Sequence, residues 1–166
     1  MKKLLILLAC LTAAACNTEE EKPQKTSAVY GGTLAVTSNA SPEAAPFVLS
    51  GVRFELTEDG GGLLNLTMHE IRFAESMPMA LNIVIPALQD TATDEKGTYS
   101  LRNTEDPIVP YIGGKPYSLF EIDGFTGELS GNGTALDIAF TCRNPKIDVG
   151  GEPLDHRACF TGTLIK

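Results

Sequence analysis

From Ala28 to Lys166 the apolar residues recur at every second position, and turn-forming residues interrupt them. A period of two sends successive side chains to opposite faces, so each such segment offers one apolar face to a shared core. Strands interrupted about every ten residues fold as an all-β sandwich or barrel. No run has the length and 3.6-residue period of a core helix. Of 166 residues, 43% are hydrophobic and 20% charged, which supplies one core for one domain.

The strands can be placed from their phase. Tyr30, Gly32, Leu34 and Val36 share a face of the first, and Val48, Val52, Phe54 and Leu56 a face of the second, with Arg53 and Glu55 opposite. Glu58 to Gly62 is an acidic, glycine-rich hairpin connection. Leu64, Leu66 and Met68 resume the alternation, and Ile71 and Phe73 follow in the other phase, as a bulge near His69 and Glu70 would produce. Met79 to Leu88 reads as a nearly continuous apolar strand closed by Pro86, Gln89 to Lys96 as a polar excursion, and Asp106 to Lys115 as a Pro- and Gly-rich loop. Strands over Tyr117 to Ile122, Phe125 to Leu129, Thr134 to Cys142 and Cys159 to Ile165 bring the expected number to about eight to ten.

A five-residue echo recurs as Tyr30-Gly-Gly-Thr-Leu, Phe125-Thr-Gly-Glu-Leu and Phe160-Thr-Gly-Thr-Leu. The aromatic and the glycine two residues on fall on one face, where a ring or a neighbouring strand can approach closely. Two echoes lie on the first and last strands; pairing those strands would close the sheet and remove its edges. The alternative is that β composition alone produces the three matches.

Met1 to Ala15 has the form of a bacterial secretion signal: basic Lys2 and Lys3, apolar Leu4 to Leu11, then Ala13, Ala14 and Ala15 before Cys16. The apolar stretch is shorter than the roughly 20 residues a membrane span needs. Small residues followed by Cys resemble a lipobox, with Ala13 where Leu is preferred; Cys10 is the rival site and an ordinary secretory signal the alternative. Cutting at Cys16 leaves no apolar remnant on the mature chain, so Cys16 is the expected site of acylation and membrane attachment. Residues 16–27 then form a lipidated tether whose Glu19, Glu20 and Glu21 are either a solvated spacer or resemble a surface-export signal of Gram-negative lipoproteins. The expected localisation is the outer membrane, on its periplasmic or outer side.

Tyr30-x-Gly-Thr-Leu, Phe73-x-x-x-Met77-Pro78 running into Leu81 to Leu88, and Gly97-x-Tyr99-x-Leu101 together resemble the calycin-like β-barrel domain. The resemblance covers residues 28–166. It implies a single antiparallel meander barrel and a small secreted lipoprotein of gut anaerobes, a family without an established activity. Lipocalins carry Gly-x-Trp near the first strand, and this chain has no Trp, so lipocalin ligands do not transfer to it.

Few residues suggest chemistry. Cys142 and Cys159 are expected to form a disulfide stapling an Arg143 to Ala158 connection, worth about 3 kcal/mol for a loop of this size, with two free thiols as the alternative. His69 lies beside Glu70, and His156 in a polar stretch beside Asp155 and Arg157; both read as ordinary histidines. No nucleophile elbow, His-Glu-x-x-His, P-loop or dinucleotide fingerprint is present, so no enzyme, metal or cofactor is expected. A formal charge of −8 argues against nucleic acid as a partner. Asp90-Thr91-Ala92 resembles a bacterial O-glycosylation motif, with a plain loop as the alternative.

The expectation is therefore an envelope-anchored module, assumed monomeric, that binds an apolar or amphipathic small molecule in the barrel or its mouth. Val52, Phe54, Leu66, Met68, Ile83, Ile85, Phe120, Ile138 and Phe140 are its pocket or core residues. The alternative is a protein-interaction domain, an inhibitor or accessory subunit, acting through the Asp106 to Lys115 and Arg143 to Ala158 loops.

Overall fold

A computed structural model of the chain describes residues 27–93, 97–149 and 151–166. The signal segment, Cys10, Cys16 and most of the tether lie outside the described residues. Ten strands follow in order: β1 (Ser27–Ser38), β2 (Phe47–Glu58), β3 (Leu64–Ile71), β4 (Leu81–Ala92), β5 (Tyr99–Arg102), β6 (Tyr111–Ile112), β7 (Lys115–Pro116), β8 (Glu121–Ser130), β9 (Ala135–Val149) and β10 (Glu152–Leu164). All pairings are antiparallel. Eight of the strands close a barrel in the order β1-β2-β3-β4-β5-β8-β9-β10, with β10 returning to β1; β6 and β7 are a small hairpin beside β4. No helix occurs among the described residues, so none is long and apolar enough to cross a membrane.

Closure depends on two of the echoes. Gly32 of β1 lies directly opposite Gly162 of β10. A Cβ on Gly32 would stand 2.1 Å from the Thr161 carbonyl oxygen and 2.6 Å from the Gly162 Cα. A Cβ on Gly162 would meet the Phe160 ring at 2.4 Å, so that ring lies over the glycine of its own echo. The same ring stacks on Phe54 of β2, centroids 3.9 Å apart and planes 6° from parallel. Glycine at both positions lets the first and last strands approach, and the aromatic residues fill the space that missing side chains leave.

Bulges set the phase of the walls. Gly51, at φ 71°, is an extra residue of β2 between the Val52–Gly32 and Ser50–Thr33 pairs. It turns Phe47 and Leu49 toward the core and leaves Val48 50% exposed, correcting the expected placement of Val48 on the inner face. The bulge expected near His69 and Glu70 is present: Glu70 has φ 53° and the β3–β4 register shifts between Met68 and Ile71. A second shift on the same ladder lies at Pro86 and Ala87, where proline is tolerated because the ladder is already interrupted. Asparagines replace the missing ladder bonds at both places. The Glu70 N–H donates to Asn82 Oδ1 at 2.9 Å, and the Ala87 N–H to Asn65 Oδ1 at 3.3 Å.

Other boundaries also differ from expectation. Gln89 to Ala92 continues β4 and pairs with β5, so Asp90, Thr91 and Ala92 lie on a strand rather than a loop. Tyr117 to Phe120 forms a turn, closed by the Phe120 N–H donating to the Tyr117 carbonyl at 3.0 Å. The expected Arg143 to Ala158 loop is instead the paired end of the β9–β10 hairpin, with Asp155 opposite Arg143 and Leu154 opposite Asn144.

Antiparallel order sorts the connections by end. Ser27, Lys166 and the short turns at 59–63 and 131–134 gather at one end, which we call the termini end. Residues 39–46, 72–80 and 103–120 gather at the other, the loop end. There the 72–80 connection folds inward. Phe73 is fully buried between Phe120, with centroids at 5.6 Å, and Phe140, edge-on at 5.8 Å. The Phe73 N–H donates to Met77 Sδ at 3.1 Å, which pins the connection as a plug. Each such buried aromatic side chain contributes about 1.5–3 kcal/mol.

Gly32→Ala should destabilise the barrel by about 1–3 kcal/mol, because the methyl would strike backbone that cannot move without opening the β1–β10 ladder. Gly61→Ala, in an exposed turn, should shift the urea midpoint far less. Equal midpoints for the two variants would refute the closure argument.

Candidate functional site

All nine residues expected as pocket or core are buried in one continuous cluster, Val52 being the most exposed at 8%. They pack against one another and against the aromatic plug, so the barrel axis is lined by side chains in contact. Two concavities of the described residues open to solvent.

One is a groove of about 460 Å3 at the loop end. Its floor is Val36, Phe73 and Ala74, its sides are Ala44, Ala45 and Phe47 from the β1–β2 connection, and Ser38, Glu75, Ser76 and His156 supply polar groups. The lining is mostly apolar because it rests on the upper surface of the plug. Small alanines in the 39–46 connection keep the groove open where longer side chains would fill it.

His156 lies on β10 opposite Cys142, not in a polar loop. Strand parity aims both inward with Leu154, Ala158 and Phe160. The Nδ1 atom of His156 is buried and has no hydrogen-bond partner. Burial pulls the imidazole below its usual pKa, with the Asp155 carboxylate opposing the shift. The ring at neutral pH is therefore uncharged, with one donor and one acceptor nitrogen.

Among the described residues Asn144, two residues beyond Cys142 on the inner face of β9, is the one buried polar residue, at 1% exposure. Its Oδ1 accepts the Lys146 N–H at 2.9 Å, whereas its Nδ2 is buried and unpartnered. An unmet buried donor costs about 1–3 kcal/mol, so two such atoms on adjacent strands are an expensive feature of the loop end. Asn144 escaped the sequence reading because Pro145 and the polar residues after Cys142 look like a loop; continuing the alternation Leu136, Ile138, Phe140, Cys142 by one step would have found it.

Outside this wall a polar cluster fixes the two strands. Arg143 bonds the Asp123 carboxylate and approaches Asp155 Oδ1 to 3.4 Å, and Asn39 Nδ2 donates to the same Asp155 oxygen at 2.7 Å. Asp155 thus ties the β1–β2 connection to the β9–β10 hairpin at the groove's edge. His69 sits elsewhere, on the outer wall, with Nε2 3.0 Å from Glu55 Oε2.

The expected disulfide is not formed. Cys142 is a buried free thiol and Cys159 an exposed one. The register pairs Cys142 with His156 and Cys159 with Ala139, three positions apart, and an odd offset puts the two sulfurs on opposite faces of the sheet. Burial raises the Cys142 pKa well above the usual thiol value, and the Asp155 charge adds to the rise. No group of three or more His, Cys, Asp or Glu among the described residues could hold a metal ion.

Comparison with known proteins finds no matching family model, no matching curated protein and no matching solved structure. The site must be interpreted from its own geometry.

In a chain carrying Cys10→Ser and Cys16→Ser, a thiol reagent should modify Cys159 quickly in the native state and Cys142 only on unfolding. Absence of free thiols after denaturation would restore the disulfide.

Proposed function

We propose that the protein is an envelope-anchored lipoprotein whose calycin-like barrel binds an amphipathic small molecule in the loop-end groove. The observation that carries this reading is an apolar groove of about 460 Å3 bordered by His156, with two unpartnered buried polar atoms in the adjoining wall. Ligand sites of this size commonly combine an apolar lining with a few polar groups that fix orientation. The apolar body of the ligand rests on Val36, Phe47 and Phe73; its polar head meets His156 and the serines at the rim.

The barrel itself serves as a support. Its packed interior holds the groove's floor rigid, and the plug bars entry to the axis. Acylation of Cys16 accounts for the amino-terminal sequence, and the described chain starts at the end opposite the groove. A 12-residue strand, tilted as in small barrels, separates the two ends by about 30 Å. An anchored molecule would therefore present the groove away from the outer membrane.

A second reading, docking of a protein partner, is favoured by one feature of the same end. Tyr111 and Tyr117 stand 36% and 39% exposed on the 103–120 connection, where Pro110 and the β6–β7 pairing hold them. Rigid exposed tyrosines are common in protein-binding surfaces.

Two experiments test the main reading. Ala44→Arg should lower binding of the neutral dye Nile red by about tenfold, and abolish its displacement by a monoacylglycerol, while leaving the urea midpoint unchanged. Undiminished binding would remove the groove from consideration. Cys16→Ser should move the protein from the membrane fraction to the soluble fraction, and the mature wild type should carry an acylated amino-terminal Cys16; an unmodified amino terminus would end the lipoprotein proposal.

A further inference from the structure

The second concavity, about 480 Å3, lies on the outer wall and shares no lining residue with the loop-end groove. Its origin is the pair of bulges already described. Gly51 at φ 71° has nothing within 4 Å of where a Cβ would stand, and the turn of the chain at Glu70 breaks the β3–β4 ladder. The wall is indented between these two points, and bulges of this kind re-aim the side chains beside them.

What the indentation collects is unusual for this chain. Arg53, His69 and Arg72 all line it, in a protein with 21 acidic and 13 basic residues. Arg53 and His69 are directly opposite across β2 and β3, so their side chains share the outer face about 5 Å apart at Cβ. His69 is held by Glu55. Arg72 is steadied by the Phe47 ring, its Cζ lying 5.8 Å from the ring centroid. Among the described residues neither Arg53 nor Arg72 forms an ion pair, whereas Arg143 is held by two carboxylates. Glu70 is the one acid in the lining, and Pro78 and the 64% exposed Met79 form an apolar edge.

Two arginines line one hollow, one with its guanidinium over a ring and neither in an ion pair, and a guanidinium supplies forked donors matched to an oxyanion. One acid against two arginines leaves room for a single anionic group and not for a polyanion. We propose that this hollow is a binding site for a small oxyanion-bearing solute, held by Arg53 and Arg72 with its uncharged part against Pro78 and Met79. The hollow shares no lining residue with the groove and adjoins it through the Arg72–Phe47 contact, and neither reading depends on the other.

The chemistry fits a carboxylated sugar or a free phosphate, and titration calorimetry of the full-length chain separates them. Glucuronate and inorganic phosphate are the probes, with glucose as the neutral control. Saturable binding of either anion, but not of glucose, should weaken at least about tenfold in Arg53→Gln and in Arg72→Gln. The exposed Arg157→Gln, which makes the same change in net charge on β10, should leave it intact. Arg53 is exposed and outside the core, so its variant remains informative even if Arg72→Gln disturbs Phe47. No saturable binding of either anion at about 10 mM, binding unaltered in Arg53→Gln, or an equal loss in Arg157→Gln would overturn the proposal.

Discussion

The approach of β1 to β10 at Gly32 and Gly162 is the contact from which the remaining structure follows. Without it the sheet would have two free edges, each a row of unpaired backbone donors and acceptors open to other chains. With it the ladder runs round the whole barrel and each inward row faces the others across one axis. The Phe160 ring lies over Gly162 and stacks on Phe54, so the residues that permit closure are also those that begin to fill the interior. Pairing of the first and last strands and packing of the inner aromatic layer are thus two sides of one contact.

A filled cylinder moves any binding function to its rim and outer wall. Phe73, Phe120 and Phe140 seal the loop end from within, and Met77 holds the connection that carries Phe73 in place. The groove exists because that plug stops short of the rim, where Ala44 and Ala45 line its side. The hollow exists because two bulges indent a wall that would otherwise be smooth. Both sites are products of local departures from a regular ladder, and both rest on backbone fixed by the packed core beneath. Irregular backbone of this sort is tolerated here because Asn65 and Asn82 supply acceptors at the two β3–β4 bulges.

The loop end also concentrates the structure's unfavourable features. Asn144 Nδ2 and His156 Nδ1 are buried without partners beside a deeply buried thiol, while Arg143, Asp123, Asp155 and Asn39 form a bonded cluster on the outside of the same strands. The outer cluster lies on part-exposed side chains at the same rungs, where ion pairs contribute little, so the inner polar groups are held by the ladder and not by the cluster. At the termini end the chain is more ordinary: Tyr30 donates its hydroxyl to the Gly133 carbonyl at 2.9 Å, and short turns finish the hairpins. Polar strain confined to one end of a barrel is consistent with that end having been shaped by something other than stability.

The sequence by itself determined the all-β class, the meeting of first and last strands, and the phase slip at His69 and Glu70. These follow from side-chain alternation and from glycine spacing, which are local properties. Where an extra residue was disguised, local reasoning failed: Gly51 reversed the phase of Val48, and the polar run after Cys142 hid a continuing strand with Asn144 on its inner face. Cys142 and Cys159 looked ready to bridge because one ends a strand and the other begins the next, yet an odd register offset separates them, and that offset comes from the irregularity between Pro153 and Leu154 within the β9–β10 ladder itself. The convergence of Arg53 with Arg72, and of Phe47 and Phe73 with His156, was likewise absent from the order of residues. Only closure of the barrel decides which distant positions share a surface, because proximity across strands is set by shear and register and not by distance along the chain.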